Sequence, residues 1–312
     1  KLQPIGLRPL ASSWRGVVVR VLNRMEEGPL NGQDARSWRW GLWSPSDRAW
    51  YEKVRELWCH GMEEGSGPLK VAEEADGPVI PLKIHQIWLG PRAIPARCLT
   101  MMESWRAKHP SWEYRLWGDA DAESVLQAFP RLAGAFAEAQ NPAERSDILR
   151  LALVLEYGGL YVDVDFECFQ AFDALHRRYS FFTGVSNVGA FELNNGLFAA
   201  AAGHPLLRFL CEHVSLSWPE WGEADVDPGE AAAHQLAKSG MLGGIDALFA
   251  APAGGSQTAF LATTGPGFFT RGVMRGLKKC EAALKGLPPL AICPTEVFYP
   301  LPNTLRDRPH TE

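Results

Sequence analysis

Short apolar runs alternate with stretches of helical periodicity along the chain from Pro81 onward. Short apolar runs are typical of buried strands, and apolar positions three or four residues apart are typical of helices. The predicted strands cover residues 84–89, 113–117, 160–162, 181–185 and 196–200, and the predicted helices cover 95–108, 121–129, 142–157, 205–214, 230–238 and 268–279. Because strands and helices alternate, the sequence predicts an α/β fold with a mostly parallel sheet and crossover helices on its faces.

The helix predicted over residues 142–157 has the clearest start and stop signals. Asn141 is a favourable N-cap residue, Pro142 suits the first helical position, and Glu144 completes a capping box. The glycines at 158 and 159 end the helix directly before the short strand at 160–162. This unit predicts where the next polar residues lie, because ligands of open α/β sheets bind beyond the carboxyl ends of the strands.

Three Asp-x-Asp pairs occur in the chain, so the spacing alone selects none of them. The pair Asp163 and Asp165 directly follows a buried strand, whereas the pairs at 119/121 and 225/227 lie in polar, turn-like sequence. Two neighbouring carboxylates repel each other unless a cation lies between them, and their oxygens suit Mg²⁺ or Mn²⁺, which also bind substrate phosphates. The pattern indicates a metal site for a diphosphate-bearing substrate. A turn cap after the strand is the alternative.

Asp147 and Arg150 lie three residues apart in the helix that leads into this strand. They share one helical face, so we expect their polar groups to converge near Asp163. An arginine at this position offsets the charge of a departing phosphate, and an aspartate accepts hydrogen bonds from hydroxyls. The alternative is an intrahelical ion pair on a solvated face.

Composition narrows the classes of partner. The chain of 312 residues carries 31 Lys and Arg against 36 Asp and Glu, a net charge of -5, which disfavours a nucleic-acid partner. No apolar run approaches the roughly 18 residues of a membrane span. The six cysteines show no zinc spacing and are expected to be buried packing residues.

The chain begins at Lys1 rather than at a methionine. We therefore expect that an N-terminal anchor has been removed and that the protein lies in the Golgi or secretory lumen, with the cytoplasm as the alternative.

Residues 1–77 differ from the rest of the chain in composition. Five of the 12 tryptophans lie in the first fifty residues, a helix is predicted from Ser44 to Met62, and residues 63–77 form an acidic, glycine-containing stretch typical of a linker. The predicted organisation is therefore an N-terminal helical and irregular extension over 1–77, followed by a catalytic domain over 78–312.

Three ordered blocks in the chain form a specific combination: IHQIWLG at 84–90, NPAERSDILR at 141–150 and YGGLYVDVD at 157–165. Together they resemble the DXD-containing glycosyltransferases of family 32. That family includes fungal mannosyltransferases, α-1,4-galactosyltransferases and N-acetylglucosaminyltransferases, and it shares its site pattern with the clostridial glucosylating toxins. The similarity covers residues 81–205 well, continues weakly to residue 300, and leaves 1–77 unexplained.

The resemblance implies a Rossmann-like GT-A fold and transfer of a sugar from a nucleotide-sugar donor with retention of configuration. It implies Mn²⁺ or Mg²⁺ held by Asp163 and Asp165. Relatives usually carry a His and a Trp near the C-terminus that complete the metal and diphosphate site, and here only His310 is available: either His310 is the further ligand, or the terminal element is missing from this sequence, or the site is incomplete. It assigns the donor site to the following residues: Trp88 against the base, Asp147 and Arg150 against sugar and phosphate, Tyr161 beside the first aspartate, and Asn194 and Asn195 on the sugar or acceptor side.

The expected function is therefore a metal-dependent retaining glycosyltransferase that acts on a glycan, glycolipid or protein acceptor, with a UDP-sugar as the favoured donor. Two alternatives remain at this stage. One is a nucleotide-sugar or carbohydrate-binding protein with impaired catalysis, since the C-terminal element is short. The other is an effector-like enzyme that glycosylates a protein, as the toxin resemblance permits. His85, in the first strand, is expected to be a structural histidine with satisfied hydrogen bonds.

Overall fold

The computed structural model describes residues 57, 77–185, 193–214, 264–293 and 295–298. The strands are β1 Lys83–Ile87, β2 Glu113–Trp117, β3 Gly159–Val162, β4 Phe181–Val185, β5 Leu193–Ala200 and β6 Leu290–Cys293. The helices are α1 Ala96–Lys108, α2 Asp119–Leu126, α3 Pro130–Glu138, α4 Pro142–Tyr157, α5 Asp173–Arg178, α6 Pro205–His213, α7 Pro266–Lys279, α8 Glu281–Leu284 and α9 Thr295–Phe298.

The strands form one sheet in the order β2-β1-β3-β5-β4-β6. The pairs β1–β2, β1–β3 and β4–β6 are parallel, and β5 is antiparallel to both of its neighbours. Every strand except β5 therefore runs in the same direction. The predicted α/β class, with a mostly parallel sheet and flanking helices, is confirmed.

Helix α4 lies at the centre of the packing. It contacts helices α2, α3 and α6 as well as strands β1, β3 and β5. Because it is covered on all of these sides, every residue from Asp147 to Leu155 is buried. Strand β3 divides its side chains between the two faces of the sheet: Tyr161 belongs to the core on the α4 side, while Leu160 and Val162 belong to the core on the other side.

The junction between α4 and β3 depends on two glycines. Gly158 and Gly159 have φ values of 62° and 106°, which glycine adopts at no steric cost. A Cβ at Gly159 would also lie 2.8 Å from the carbonyl oxygen of Lys83. His85 secures the junction, since its Nε2 donates to the Gly158 carbonyl at 2.8 Å and its Nδ1 accepts from Trp117 Nε1 at 3.2 Å. The expected structural role of His85 is confirmed.

Several predicted boundaries shift in the structure. The predicted helix at 121–129 begins and ends earlier, as α2, and it starts at Asp119 because the Asp121 side chain accepts from the backbone N–H of Gly118. Helix α3, which begins at Pro130, and strand β6 were not predicted, and β5 begins three residues before Gly196. At the start of α4, Asn141 caps the helix as predicted, but Glu144 accepts from the backbone of Gln140.

Other predictions fall largely or wholly outside the described residues. They are the helix at 44–62, of which only Leu57 is described and is buried in the core, the helix at 230–238, the Asp-x-Asp pair at 225/227, and His310. The cysteines Cys98, Cys168, Cys211 and Cys293 are buried and free, as expected for packing residues. Among the described residues, no helix is both long and apolar enough to cross a bilayer.

Candidate active site

Asp163 is the first residue beyond β3, at the carboxyl edge of the sheet. Both of its backbone polar groups are bound by neighbouring strands: its N–H donates to the carbonyl of Gly196 at 2.8 Å, and its carbonyl accepts from Gln86 Nε2 at 3.2 Å. Its side chain remains 34% exposed. Val164, the next residue, packs into an apolar cluster with Cys98 and Met102. The backbone is therefore fixed while the carboxylate reaches the surface of this edge.

The carboxylate of Asp163 is oriented from the α4 side of the sheet. Residues two apart in a strand share a face, so Asp163 points to the same side as Tyr161. The hydroxyl of Tyr161 donates to Asp163 Oδ1 at 2.6 Å, and Arg150 Nη2 lies 3.4 Å from the same oxygen. Burial raises the pKa of Tyr161 well above its ordinary value, so its hydroxyl stays protonated and acts as a donor.

Arg150 connects α4 with β5 and with Asp163. Its Nη2 forms an ion pair with Asp147 Oδ1 at 3.0 Å, and its Nη1 donates to the carbonyl of Asn195 at 2.9 Å. Its Nε and Nη2 also donate to the carbonyl and the hydroxyl of Ser146, each at 3.2 Å. The side chains of Asp147 and Arg150 are only 7% and 6% exposed. The alternative of a solvated ion pair on a helix surface is therefore excluded.

The buried charges at the site shift one another's pKa. Burial raises the pKa of Asp147 to about 6, although Arg150 acts in the opposite direction. Burial alone would lower the pKa of Arg150, but the nearby acidic groups, with Asp163 first, outweigh it and hold the pKa above its ordinary value. Arg150 therefore stays charged. Asp147 also accepts hydrogen bonds from Asn195 Nδ2 at 2.8 Å and from the hydroxyl of Thr264 at 3.3 Å.

Asn194 and Asn195 lie inside β5 rather than before it. Because β5 is antiparallel to β3, its first residues lie at the same edge of the sheet as the end of β3. Asn195 is buried and bonded to Asp147, whereas the side chain of Asn194 accepts from the backbone N–H of Gly196 at 2.6 Å. The two asparagines thus differ: Asn195 belongs to the Asp147–Arg150 network, and Asn194 shapes the backbone beside Asp163.

Trp88 follows β1 at the same edge. Its Nε1 donates to the carbonyl of Arg92 at 2.6 Å, and its ring packs against the cluster of Cys98, Met102 and Val164. Since Val164 separates Asp163 from Asp165, Trp88 lies beside the Asp-x-Asp turn and is partly exposed. Its contact with a nucleotide base stays a prediction.

Sequence reasoning did not assign a role to Gln86, Gly196 or Ser146. A Cβ at Gly196 would lie 2.5 Å from Asp163 Oδ2, so only glycine fits beside the carboxylate in this geometry. The signal in the sequence is an isolated glycine inside a strand, which marks a close approach of another group. Ser146 lies between two site residues, since its hydroxyl is 3.3 Å from that of Tyr161 and also accepts from Arg150.

The residues present suit a hard divalent cation. Asp163 and Asp165 offer carboxylate oxygens at one edge of the sheet, the donor type that Mg²⁺ and Mn²⁺ prefer. Within the described ranges, no group of three or more His, Cys, Asp or Glu side chains is arranged to hold a metal, and the predicted further ligand, His310, lies outside those ranges. The pair therefore fits as a partial ligand set that leaves positions for substrate phosphates.

The Asp-x-Asp pair at 119/121 has a different environment. Asp121 accepts from the backbone of Gly118 at 3.0 Å and from Arg115 at 2.7 Å, and Asp119 accepts from the backbone of Gly90 at 2.8 Å. Asp121 caps the start of α2, and Asp119 joins that helix to the segment after β1. The side chains of this pair are therefore held in structural hydrogen bonds.

Comparison with known proteins shows which proteins the segment around these residues resembles. Residues 95–182 match the family model described as a glycosyltransferase sugar-binding region containing a DXD motif. Inositol phosphoceramide mannosyltransferase 3 of Schizosaccharomyces pombe is 30% identical over 129 residues, which cover 41% of this chain and 35% of that protein. Mannosyl phosphorylinositol ceramide synthase CSH1 of Saccharomyces cerevisiae is 28% identical over 149 residues, which cover 46% of this chain and 39% of that protein.

The matches to these curated relatives thus span between a third and two fifths of the relatives' own length. Among solved structures, the PaToxG glycosyltransferase resembles this fold with a TM-score of 0.45 at 15% identity, over 77% of this chain and 80% of that one. Over residues 95–182, the chain is similar to the glycosyltransferase sugar-binding region of the DXD type, the family that its three sequence blocks resemble.

Proposed function

We propose that this protein is a metal-dependent retaining glycosyltransferase that moves a sugar from a nucleotide-sugar donor to a glycan, glycolipid or protein acceptor. One observation carries the proposal: a buried, permanently charged arginine contacts two carboxylates at the carboxyl edge of the sheet, at 3.0 Å from Asp147 and 3.4 Å from Asp163. A fixed cation beside an Asp-x-Asp pair is suited to bind a diphosphate and to stabilise its charge as it departs.

Asp163 and Asp165 would hold Mn²⁺ or Mg²⁺, with His310 as a proposed third ligand. The bound cation supplies Lewis-acid stabilisation of the negative charge on the departing nucleotide diphosphate. Arg150 adds a second positive charge from the protein side. Tyr161 keeps the Asp163 carboxylate turned toward the cation position, because it donates to Oδ1.

The donor sugar would lie against Asp147, Arg150, Asn194 and Asn195, and the base against Trp88. In the transfer, the bond between the sugar C1 and the diphosphate oxygen breaks, and a bond forms between C1 and the acceptor oxygen. The acceptor proton passes to the departing phosphate if the reaction occurs on one face, through a short-lived oxocarbenium-like species. A two-step route through a covalent enzyme intermediate also gives retention, and both routes remain open.

The names of these relatives bear on the donor and the acceptor. One is an inositol phosphoceramide mannosyltransferase and the other a mannosyl phosphorylinositol ceramide synthase, so both names combine mannose with a ceramide lipid. We therefore propose a glycolipid as the first acceptor to test, and we add mannose to the donor sugars to be tested beside the favoured UDP-sugars. A secretory lumen would suit such an acceptor.

The test is donor hydrolysis with Mn²⁺, measured as nucleotide release from a panel of UDP-sugars and GDP-mannose. The parent protein should release free nucleotide slowly without acceptor, and faster with one. Asp163→Asn and Asp165→Asn should abolish release, since each removes a carboxylate from the cation position. Asp121→Asn is the matched control because it changes one aspartate of the structural Asp-x-Asp pair, and it should retain release.

Two other outcomes would redirect the proposal. Nucleotide-sugar binding without any release would favour the binding protein with impaired catalysis. Transfer to a protein but not to a lipid or glycan would favour the effector-like enzyme. Full activity in both Asp163→Asn and Asp165→Asn would remove the metal assignment.

A further inference from the structure

Gln86 is a fully buried polar residue at the next-to-last position of β1, on the face of the sheet opposite α4. Its relative exposure is 0%, and it is bonded at both ends of its amide. Its Nε2 donates to the carbonyl of Asp163 at 3.2 Å, and its Oε1 accepts from the hydroxyl of Tyr114 at 2.6 Å. The paired residues of β1 and β3 end at His85 and Tyr161. The side chain of Gln86 therefore extends the hydrogen bonding between these strands to Asp163.

The Asp163 carbonyl can only accept and therefore requires the nitrogen of the Gln86 amide, and Tyr114 on β2 secures this orientation by donating to the amide oxygen. An amide can present either its oxygen or its nitrogen to a partner, and the partners decide which. Burial raises the pKa of Tyr114, so its hydroxyl stays protonated and can donate to the amide oxygen. The nitrogen of Gln86 is then left to face the Asp163 carbonyl. The ring of Tyr114 lies under the guanidinium of Arg106 at 4.1 Å, which links the arrangement to α1.

The bond from Gln86 fixes the peptide group that joins Asp163 to Val164. The N–H of Asp163 is held on the other side by the Gly196 carbonyl at 2.8 Å. The Asp163 carbonyl also accepts from the N–H of Phe166 at 3.3 Å, so loss of the bond from Gln86 leaves the peptide group after Asp163 held on this side by that longer turn bond. The direction of the chain toward Asp165 is then less firmly fixed, because Asp165 lies inside this turn.

We propose that Gln86, oriented by Tyr114, is a positioning residue for the turn from Asp163 to Asp165, and that it sets the affinity of this turn for a divalent cation with a nucleoside diphosphate. This inference rests on the proposed function. Groups that orient the ligands of a metal contribute to metal affinity without touching the metal, and their loss typically costs about 10- to 100-fold.

A purely structural role for Gln86 has a different consequence. If the amide only satisfies a buried carbonyl, its loss lowers the stability of the fold and leaves the affinity of the folded protein for cation and nucleotide unchanged. Ser180 provides a matched case, because its buried hydroxyl donates to the carbonyl of Pro288 at 2.6 Å, and it lies at the opposite end of β4 from the site.

The experiment is calorimetric titration of UDP and of GDP into the full chain with MnCl₂ present, together with melting of the metal-free protein. The variants are Gln86→Met, which removes the amide at similar length, Tyr114→Phe, which removes one oxygen atom, and the control Ser180→Ala. We expect the affinity for the nucleotide that the parent binds to fall about tenfold or more in Gln86→Met. A smaller fall in the same direction is expected in Tyr114→Phe, and parental affinity in Ser180→Ala despite a lower melting temperature.

Parental affinity in both Gln86→Met and Tyr114→Phe would overturn the inference and leave the proposed function intact. If Gln86→Met does not fold, Tyr114→Phe decides alone, since Tyr114 is only partly buried. If the parent protein binds neither nucleotide with Mn²⁺, the proposed function fails first, and the inference fails with it.

Discussion

The hydroxyl of Tyr161 donates a 2.6 Å hydrogen bond to Oδ1 of Asp163, two residues further along the chain. We expect Tyr161→Phe to weaken binding of UDP or GDP with Mn²⁺ by about tenfold, because the carboxylate loses the group that orients it. The free energy of unfolding should fall by about 2 kcal/mol, the range for a bond to a charged group. Calorimetric titration and urea unfolding measure the two effects.

Tyr179→Phe is the control for this prediction. Its hydroxyl is buried and has no hydrogen-bond partner within the described part of the chain. Removal of that hydroxyl should leave nucleotide binding unchanged and should not destabilise the protein. Equal binding losses in both variants would show that the Tyr161 hydroxyl has no special role.

Gly196→Ala tests the close approach between β5 and Asp163. The new Cβ would lie 2.5 Å from Asp163 Oδ2, so the carboxylate or the strand must move. We expect loss of metal-dependent nucleotide binding and a lower melting temperature. Gly134→Ala is the opposite case: it lies exposed within α3 with no atom within 4 Å of the new Cβ, and it should stabilise the protein by about 1 kcal/mol.

Arg150→Met should leave two carboxylates without their compensating charge. Removal of one partner of a buried ion pair costs about 3–5 kcal/mol, and nucleotide release should be lost as well. Arg106→Met is a close comparison, since Glu103 and Arg106 have the same three-residue spacing in α1 but are mostly exposed. That substitution should cost about 1 kcal/mol or less. Similar losses in urea unfolding for the two variants would contradict the prediction.

His85 should make the fold sensitive to mild acid. Burial lowers the pKa of His85 from about 6.5 to about 4, because the charged imidazolium loses its hydration. A second proton would also occupy Nδ1, the atom that accepts from Trp117 Nε1. The unfolded chain therefore binds a proton that the folded chain does not, and stability falls as pH decreases from about 6.5 to about 4. The expected slope is about 1.4 kcal/mol per pH unit for this residue.

Urea unfolding of the parent protein and of His85→Gln between pH 7 and pH 4.5 measures this effect. His176 and His204 are also buried with lowered pKa values, and they contribute equally to both proteins. The difference in slope therefore isolates His85. Parallel curves for the two proteins would contradict the assigned role of this histidine.

Much of the fold could be predicted because its signals are local. The sequence of the helix before β3 contains both its N-cap residue and the glycines that end it. Strands β2 and β4 have the same bounds in the structure as in the prediction. Helix α3 was missed because Pro130 is the single start signal in its sequence, and only a short gap separates it from the end of α2. Strand β6 was missed because its four residues, covered by neighbouring elements, resemble any short apolar run.

The candidate site was predictable in its acidic and basic residues but not in its supports. Asp147, Arg150 and Asp163 follow from helical spacing and from the end of a strand. Gln86 and Gly196 depend on which strands lie on either side of β3, and strand order is a tertiary property that no local pattern contains. The same reason explains why Asn194 and Asn195 were placed before a strand: only the pairing with β3 shows where β5 begins.

The single reversed strand has a consequence for how the protein can change. Because β5 opposes its neighbours, β4 ends at Val185 and β5 starts at Leu193 on the rim that holds the aspartate pair. Lengthening or shortening the sequence between those two residues would thus alter the rim that holds the proposed donor site, while the sheet beneath stays intact. The proposed site could therefore be altered at one connection between two strands, without any repacking of the interior.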